Sequence, residues 1–448
     1  RCSERSKLWG IRHENDGPSA TSVFWQERQR SPFTTEGMDQ QATRQGFFYG
    51  YLIVGTSSSI QMMFLSCMFA YGVLFKELES EFGWSRAAIA GAPSLMMLMM
   101  GTLGIFLGRV NDVAGPRLLL TLTGVLYGVG FMLMYQMNSL WELYLFFGVM
   151  GGLGLASHDV ATLSTVNRWF IRFRGLMTGI VKSGAGLGQV IGPIAASFLV
   201  ITYGWRIACL LMGLFAMVGI VLASQLMRRD PEGMQTLPLS EPHSNNRGPA
   251  PESASLSFEE AWKTRSFWIL CLAKFADLFC LVSVISHIVP HGIDLGLDPT
   301  VAVTVLSTIG GCSIIGRLVL GSLFDRIGPQ KSLWICFSLL LLGLMLILHT
   351  EDSSLLFVFA LIYGISHGGF FAVASPSVAH YFGTRSHGIL FGTVLFFGAL
   401  GGTVGPIATG RIYDLYQSYD NAFMMLMVFT CIGFLLTLGL KHPKMLNP

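Results

Sequence analysis

The chain has 448 residues, of which 52% are hydrophobic and only 12% are charged, and its formal net charge is +3. Soluble domains carry about 25% charged residues, so this composition excludes an ordinary soluble protein. The small net charge gives no sign of a nucleic-acid partner, and none is expected. Eight cysteines are scattered without a C-x-x-C pair, which predicts neither a disulfide framework nor a metal site. No cofactor is expected.

The N-terminal residues 1–45 are polar and lack the apolar core of a signal peptide. The chain begins with Arg1, and Met38 comes shortly before the first apolar run. Two interpretations stay open: residues 1–37 precede a natural start at Met38, or they form a cytoplasmic tail. In the first case, a chain that begins at Met38 would insert and transport like the full one.

Twelve apolar runs follow, each long enough to cross a hydrocarbon core of about 30 Å as a helix. They lie at approximately residues 47–75, 87–107, 118–136, 141–167, 175–202, 205–227, 266–289, 299–320, 331–349, 354–381, 388–411 and 421–440. This predicts an all-α integral membrane protein with twelve membrane-spanning helices. Most lysines and arginines outside the runs fall on one side. Because positively charged loops face the cytoplasm, we expect both ends of the chain and the long loop 228–265 there, in an inner or plasma membrane.

An internal repeat organises these runs. Asp112 and Asp325 are 213 positions apart, and the same offset carries Gly192 onto Gly405 and Gly175 onto Gly388. The repeat predicts two pseudo-symmetric six-helix halves, residues 46–227 and 266–440, with a flexible linker at 228–265 and a tail at 441–448. Such repeats, with a site at their interface, are typical of secondary transporters that work by alternating access. A receptor or a membrane enzyme would not need one.

Two short polar islands interrupt the apolar runs at matched places of the repeat. Each holds an aspartate between glycines and ends in a cation: Gly108, Asp112, Gly115 and Arg117 in the first, and Gly321, Asp325, Gly328 and Lys331 in the second. Glycines let backbones approach closely, and an aspartate can pair with a cation or with the N-terminus of a neighbouring helix. The islands resemble the loop 2–3 and loop 8–9 signature of the major facilitator superfamily. The resemblance implies a role for them in conformational change.

Smaller motifs resemble the monocarboxylate and oxalate–formate transporters. The stretches 75–79 and 82–86 are similar to their loop 1–2, and Arg168-Trp169-Phe170 is similar to their loop 4–5. The resemblance implies transport of small organic anions, by proton symport or by anion exchange; we expect the protein to act as a monomer in the lipid bilayer. Two cations of these families are missing, since Phe69 replaces a lysine of helix 1 and the eleventh run has no lysine. Dicarboxylate exchange is therefore in doubt.

Arg317 in the eighth run is the first candidate for substrate binding. An ionisable group at bilayer depth costs about 2.5–3.5 kcal/mol on insertion scales, so it usually faces the protein interior and serves function. Arg317 lies eight residues before Asp325, the spacing at which the resembled family places its carboxylate-binding arginine. Its planar guanidinium can hold both oxygens of a carboxylate. The alternative is an arginine that ties this helix to a neighbour.

Lys274 and Asp277 in the seventh run are candidates for proton coupling. Positions equidistant from the turn between two antiparallel helices share a depth, which places both residues at the level of Arg317. Asp277 is therefore expected to neutralise Arg317 in the empty carrier and to accept a proton when substrate arrives. A fixed buried ion pair is the alternative.

Asp159 in the fourth run and Lys182 in the fifth run share a depth by the same argument, and we predict that they pair within the first half. The offset of 213 places Ala372 and Leu395 at the matching positions of the second half, so the pair belongs to one half only. That asymmetry favours a part in substrate binding or proton coupling. A structural ion pair is the alternative.

His158 and His367 are further proton-coupling candidates because histidine titrates near neutral pH, although a single hydrogen bond to a neighbouring helix is commoner. The repeated motif Gly-x-x-x-Gly-Pro at 188–193 and 401–406 is interpreted as a close-packing and bending device.

The sequence shows no Walker loop and no nucleophile–base pattern, which argues against a pump or an enzyme. Two other functions stay open: a drug–proton antiporter that exports an apolar or cationic compound, and a transporter-like sensor that binds an anion without moving it.

Overall fold

The computed structural model describes residues 48–232, 255–349 and 353–441. Two units are distinguished, Arg1–Tyr49 and Gly50–Pro448, and the helical bundle belongs to the second. The proposed start at Met38, most of the N-terminal segment 1–45, the middle of the linker and most of the tail 441–448 lie outside the described residues. The expected boundaries of the two halves stay predictions.

Twelve helices of the described residues are long and apolar enough to cross a membrane, and the same residues contain no strand. The prediction of an all-α protein with twelve spans is therefore confirmed. The helices are α1 Tyr49–Phe82, α2 Arg86–Ala114, α3 Pro116–Leu133, α4 Leu140–Trp169, α5 Arg174–Tyr203, α6 Trp205–Gln225, α7 Arg265–Asp294, α8 Pro299–Ile327, α9 Pro329–Leu348, α10 Ser353–Phe382, α11 His387–Tyr416 and α12 Asp420–Leu438. A short helix, Phe258–Trp262, precedes α7.

The first helix is longer than the sequence predicts. Residues 75–79, expected in a loop, continue α1, because lysine, glutamate and leucine favour the helix and nothing stops it before Gly83. Gly83 has a φ of +65°, which a glycine adopts readily. Ser85 then caps α2 by accepting a hydrogen bond from the backbone N–H of Ala88.

Within each half, one glycine-rich helix packs tightly against the first helix of that half. A Cβ on Gly188 of α5 would come within 2.3 Å of the Met62 carbonyl oxygen, and one on Gly401 of α11 within 2.2 Å of the Phe275 carbonyl oxygen. Met62 and Phe275 are themselves 213 positions apart. The close-packing interpretation of both Gly-x-x-x-Gly-Pro motifs is therefore confirmed. The same repeat builds both six-helix groups, α1–α6 and α7–α12.

Candidate functional site

The two polar islands lie at one end of the bundle, where the chain leaves α6 toward α7; we call this end the linker side. Asp112 accepts hydrogen bonds from the backbone N–H groups of Gly388 and Ile389, both at 3.1 Å, at the start of α11. Asp325 accepts from Gly175 and Leu176, at 2.7 and 2.9 Å, at the start of α5. Each aspartate thus stabilises the positive end of a helix that belongs to the other half.

Glycine is required where these helices meet. A Cβ on Gly388 would lie 2.4 Å from the carbonyl oxygen of Gly108, and one on Gly175 would lie 2.2 Å from that of Gly321. The four glycines form two crossings, α2 with α11 and α5 with α8, that repeat at the offset of 213. These two crossings with their aspartates, here called the linker-side latch, hold the two halves together at this end.

The remaining island residues make other contacts. Gly115 and Gly328, with φ of +83° and +81°, make the tight turns into α3 and α9, each of which begins with a proline. Arg117 donates from Nε to the side-chain oxygen of Gln225 at 2.8 Å and so ties α3 to α6. Lys331 is exposed and lines an apolar groove between α9 and α12. These four residues share their motifs with Asp112 and Asp325, but they make turns or surface contacts and do not take part in the latch.

Three cations from three helices converge on one aromatic ring deep in the bundle. The Nζ atoms of Lys182 and Lys274 lie 5.2 and 5.1 Å from the centroid of the Phe371 ring, and Cζ of Arg317 lies 5.6 Å from it. Each of the three cations is only 5% exposed. This cation cluster joins α5 of the first half to α7, α8 and α10 of the second. The shared depth expected for Lys274 and Arg317 is thus present, whereas Phe371 went unnoticed because an aromatic residue in an apolar run carries no signal.

Each lysine of the cluster has its own carboxylate. Lys182 Nζ donates to Asp159 Oδ1 at 2.6 Å, so the pair expected across the α4–α5 hairpin is present. Lys274 Nζ donates to Asp277 Oδ2 at 2.5 Å, one helical turn along α7. The expected pairing of Asp277 with Arg317 is wrong for this state. Its reason is local: a lysine three residues earlier on the same helix reaches the carboxylate first.

Arg317 is held differently from the two lysines. Its Nη1 donates to the backbone carbonyl of Lys182 at 2.7 Å, and its Nε has no hydrogen-bond partner among the described residues. The arginine therefore ties α8 to α5, as the structural alternative expected. Because the two nearby carboxylates already hold lysines, the cluster contains one more cation than carboxylates. A buried charge in excess favours the arrival of an anion.

Both candidate histidines border the cation cluster. His158 on α4 directs Nε2 toward Asp159 Oδ1, at 3.5 Å, while its Nδ1 contacts the carbonyl of Leu155. His367 on α10 lies against the Phe371 ring, with centroids 5.1 Å apart, and its Nδ1 has no partner among the described residues. A cavity of about 20 Å³ beside Lys274 and Asp277 has room for one water molecule. With each of its three cations only 5% exposed, the cluster is buried in this state.

A second polar group between the halves was missed by the sequence reading. His387, fully buried at the start of α11, contacts Ser164 Oγ of α4 through Nδ1 at 2.9 Å and the Ser375 carbonyl of α10 through Nε2 at 3.0 Å. Asn167 of α4 also donates to Ser375 Oγ at 2.8 Å. Serine and asparagine on apolar helices carry no spacing signal, so only the folded chain reveals that they meet.

Comparison with known proteins shows which family this chain belongs to. The family model of the Major Facilitator Superfamily matches residues 47–353 and 294–448. The chain is 25% identical over 404 residues to monocarboxylate transporter 13 of Rattus norvegicus, covering 88% of this chain and 89% of that one. It is 25% identical over 315 residues to the agnestins efflux protein of Paecilomyces divaricatus, covering 69% and 68%. The crystal structure of the human organic anion transporter MFSD10 superposes with a TM-score of 0.68 at 15% identity, over 87% of this chain and 99% of that one. The chain is a multi-pass membrane protein that belongs to the major facilitator superfamily.

Proposed function

We propose that this protein is a secondary active transporter of small organic monoanions, with monocarboxylates as the first substrates to test. The anion binds at the cation cluster, and the two halves alternate around it. Proton symport is the favoured coupling, and anion exchange is the second possibility. The protein acts as a monomer in a plasma or inner membrane.

The observation that carries this proposal is the excess cation at the interface of the halves. Lys182 belongs to the first half, whereas Lys274 and Arg317 belong to the second. A carboxylate about 4 Å from one unpaired cation gains of the order of 4 kcal/mol at an effective dielectric constant of 20, before its own desolvation is counted. An anion bound there contacts both halves at once, which links its binding to their movement.

The linker-side latch supplies the second element of an alternating-access cycle. Opening at this side breaks the hydrogen bonds of Asp112 and Asp325 to the starts of α11 and α5. These bonds lie near the ends of the helices: Asp325 comes eight residues after Arg317, and Gly175 comes seven residues before Lys182. If the positive loops mark the cytoplasm, the linker side faces inward, and the latched state described here is closed to the inside.

Two other functions remain as outcomes of the same test. Export of an apolar or cationic compound agrees with the similarity to a fungal efflux protein, but the excess positive charge of the cluster would repel a cationic cargo. A sensor would bind the anion without moving it. An inter-half site argues for movement, because binding alone does not require residues from both halves.

Purified protein in proteoliposomes distinguishes these functions. We expect saturable uptake of labelled lactate, pyruvate or formate, stimulated by an acidic outside. Anion-induced thermal stabilisation without any flux would indicate the sensor. Proton-driven movement of a lipophilic cation, with no effect of the three anions on stability or flux, would refute the proposal and favour the efflux protein.

A further inference from the structure

One oxygen atom in the first half has three nitrogen neighbours. Asp159 Oδ1 accepts from Lys182 Nζ at 2.6 Å and from Gln61 Nε2 at 2.8 Å, and His158 Nε2 lies 3.5 Å away. Gln61 belongs to α1, His158 to α4 and Lys182 to α5. The carboxylate of Asp159 thus stands between a lysine of the cation cluster and a histidine that lies outside it.

The contacts of His158 define which of its nitrogens can accept a proton. Its Nδ1 faces the carbonyl oxygen of Leu155, which only accepts hydrogen bonds, so Nδ1 carries the hydrogen of the neutral ring. The lone pair of Nε2 then faces the anionic oxygen of Asp159. Both atoms are hydrogen-bond acceptors, so no hydrogen bond forms between them while the ring is neutral. A proton on Nε2 turns this contact into an ion pair.

The surroundings of His158 contain few other charges. The helix α1 presents the uncharged Gln61 and the ring of Phe64, 5.9 Å from the imidazole. The helix α3 presents Tyr127, whose hydroxyl donates to the carbonyl of Phe64. Asp159 on its own helix and Lys182 on α5 are the charged neighbours, with Arg317 and Lys274 of the cluster beyond Lys182.

We propose that His158 is the proton-binding residue of the transport cycle and that its protonation transfers Lys182 from Asp159 to the substrate anion. The proposal rests on the anion transport proposed above. A proton from solution bonds to Nε2, so the ring becomes an imidazolium and Asp159 stays ionised. Asp159 then has a second cation, and Lys182 keeps its own proton while its ammonium turns to the anion beside Arg317. Its Nζ already lies 5.2 Å from the Phe371 ring on which the cluster converges.

The charge balance explains why proton and anion would move together. The cluster with its two carboxylates has one excess positive charge when empty. One proton and one monoanion leave that excess unchanged, so closing the halves around the site costs similar electrostatic free energy in the empty and the loaded carrier. An anion alone would alter the excess, and a proton alone would double it.

Proton uptake on anion binding tests this directly. Pyruvate, lactate or formate is added to detergent-purified protein in weakly buffered solution about one pH unit above the ordinary histidine value of about 6.5, with an indicator dye. Wild type should take up about one proton per bound anion. His158→Gln should bind the anion about tenfold more weakly and take up none, because Lys182 stays with Asp159. In proteoliposomes it should exchange anions but no longer accumulate them in response to a pH gradient.

Lys182→Gln gives a second, independent readout. Without the lysine, Asp159 holds a protonated His158 before the anion arrives, so this variant should also bind without proton uptake. His349→Gln, an exposed histidine at the end of α9, is the matched control and should behave like wild type.

Three results would overturn the assignment. Full proton uptake in His158→Gln would exclude His158, and loss of uptake in His367→Gln with normal uptake in His158→Gln would place the proton on α10 instead. Absence of anion binding in wild type would refute the proposed function itself, and the assignment with it.

Discussion

The ion pair between Asp159 and Lys182 is the contact whose removal the structure predicts most sharply. Its nitrogen and oxygen lie 2.6 Å apart, and the side chains of Lys182 and Asp159 are only 6% and 14% exposed. Removing one partner of such a pair leaves a buried charge without compensation, which costs about 3–5 kcal/mol. We expect Asp159→Asn to show this loss in full, because Lys182 then retains no carboxylate.

Removing the lysine should lower the free energy of unfolding by less than removing the aspartate. In Lys182→Met, Asp159 keeps the hydrogen bond from Gln61 at 2.8 Å and has His158 Nε2 at 3.5 Å. We therefore expect a loss near the lower end of that range, about 3 kcal/mol, because Asp159 then holds a protonated His158. The double variant Asp159→Asn/Lys182→Met should regain most of the stability while anion transport stays impaired.

Thermal unfolding in detergent and uptake in proteoliposomes measure the two effects separately. Asp414→Asn and Lys76→Met remove one charge each at exposed positions and serve as matched controls. Single variants as stable as these controls would refute the claim that the pair is energetically important. If the double variant regains both stability and transport, the pair is structural only.

Three other variants test the linker-side latch and the aromatic ring of the cation cluster. Gly388→Ala should stop uptake without unfolding the protein, because its Cβ would lie 2.4 Å from the Gly108 carbonyl oxygen and so prevent the latch from closing. Gly310→Ala is the control: a Cβ there has no packing neighbour within 4 Å, and the variant should transport normally. Asp325→Asn removes a negative charge from the start of α5 and should weaken the latch by about 0.3–2 kcal/mol, which we expect to appear as greater accessibility of the linker side to a membrane-impermeant thiol reagent. Phe371→Leu removes a ring whose attraction for each cation is about 0.5–2 kcal/mol, so the apparent affinity for the anion should fall while the helical fold, checked by circular dichroism, persists.

The sequence predicted the parts of the fold that depend on long, repeated signals. Twelve apolar runs and a constant offset between Asp112 and Asp325 are properties of the whole chain, and they led to the correct spans and to the correct family. Helix ends were less accurate. The first helix runs past residue 79 because only Gly83 ends it, and the resemblance to a loop motif hid that preference.

The sequence could predict the depth of the site residues, because that depth follows from their distance to a hairpin turn. It could not predict which neighbour a charged side chain would pair with, because that depends on the side-chain rotamer. Equal distance from a turn placed Asp159 opposite Lys182, and the two are paired. The same reasoning placed Asp277 level with Arg317 but could not foresee that Lys274, on its own helix, binds the carboxylate. Neither depth nor spacing could reveal Phe371, since its role depends on cations that arrive from three other helices.

Saturable uptake of a monocarboxylate by Arg317→Gln in proteoliposomes tests the central claim most directly. Arg317 is 5% exposed and is the one cation of the cluster without a carboxylate among the described residues. Its neutralisation should abolish saturable uptake in a protein that still unfolds cooperatively, and Arg317→Lys should retain weak uptake with at least about tenfold lower apparent affinity, because the planar fork is lost. Lys331→Gln, which neutralises an exposed cation at the start of α9, should transport like wild type. Uptake by Arg317→Gln with unchanged apparent affinity would contradict the account.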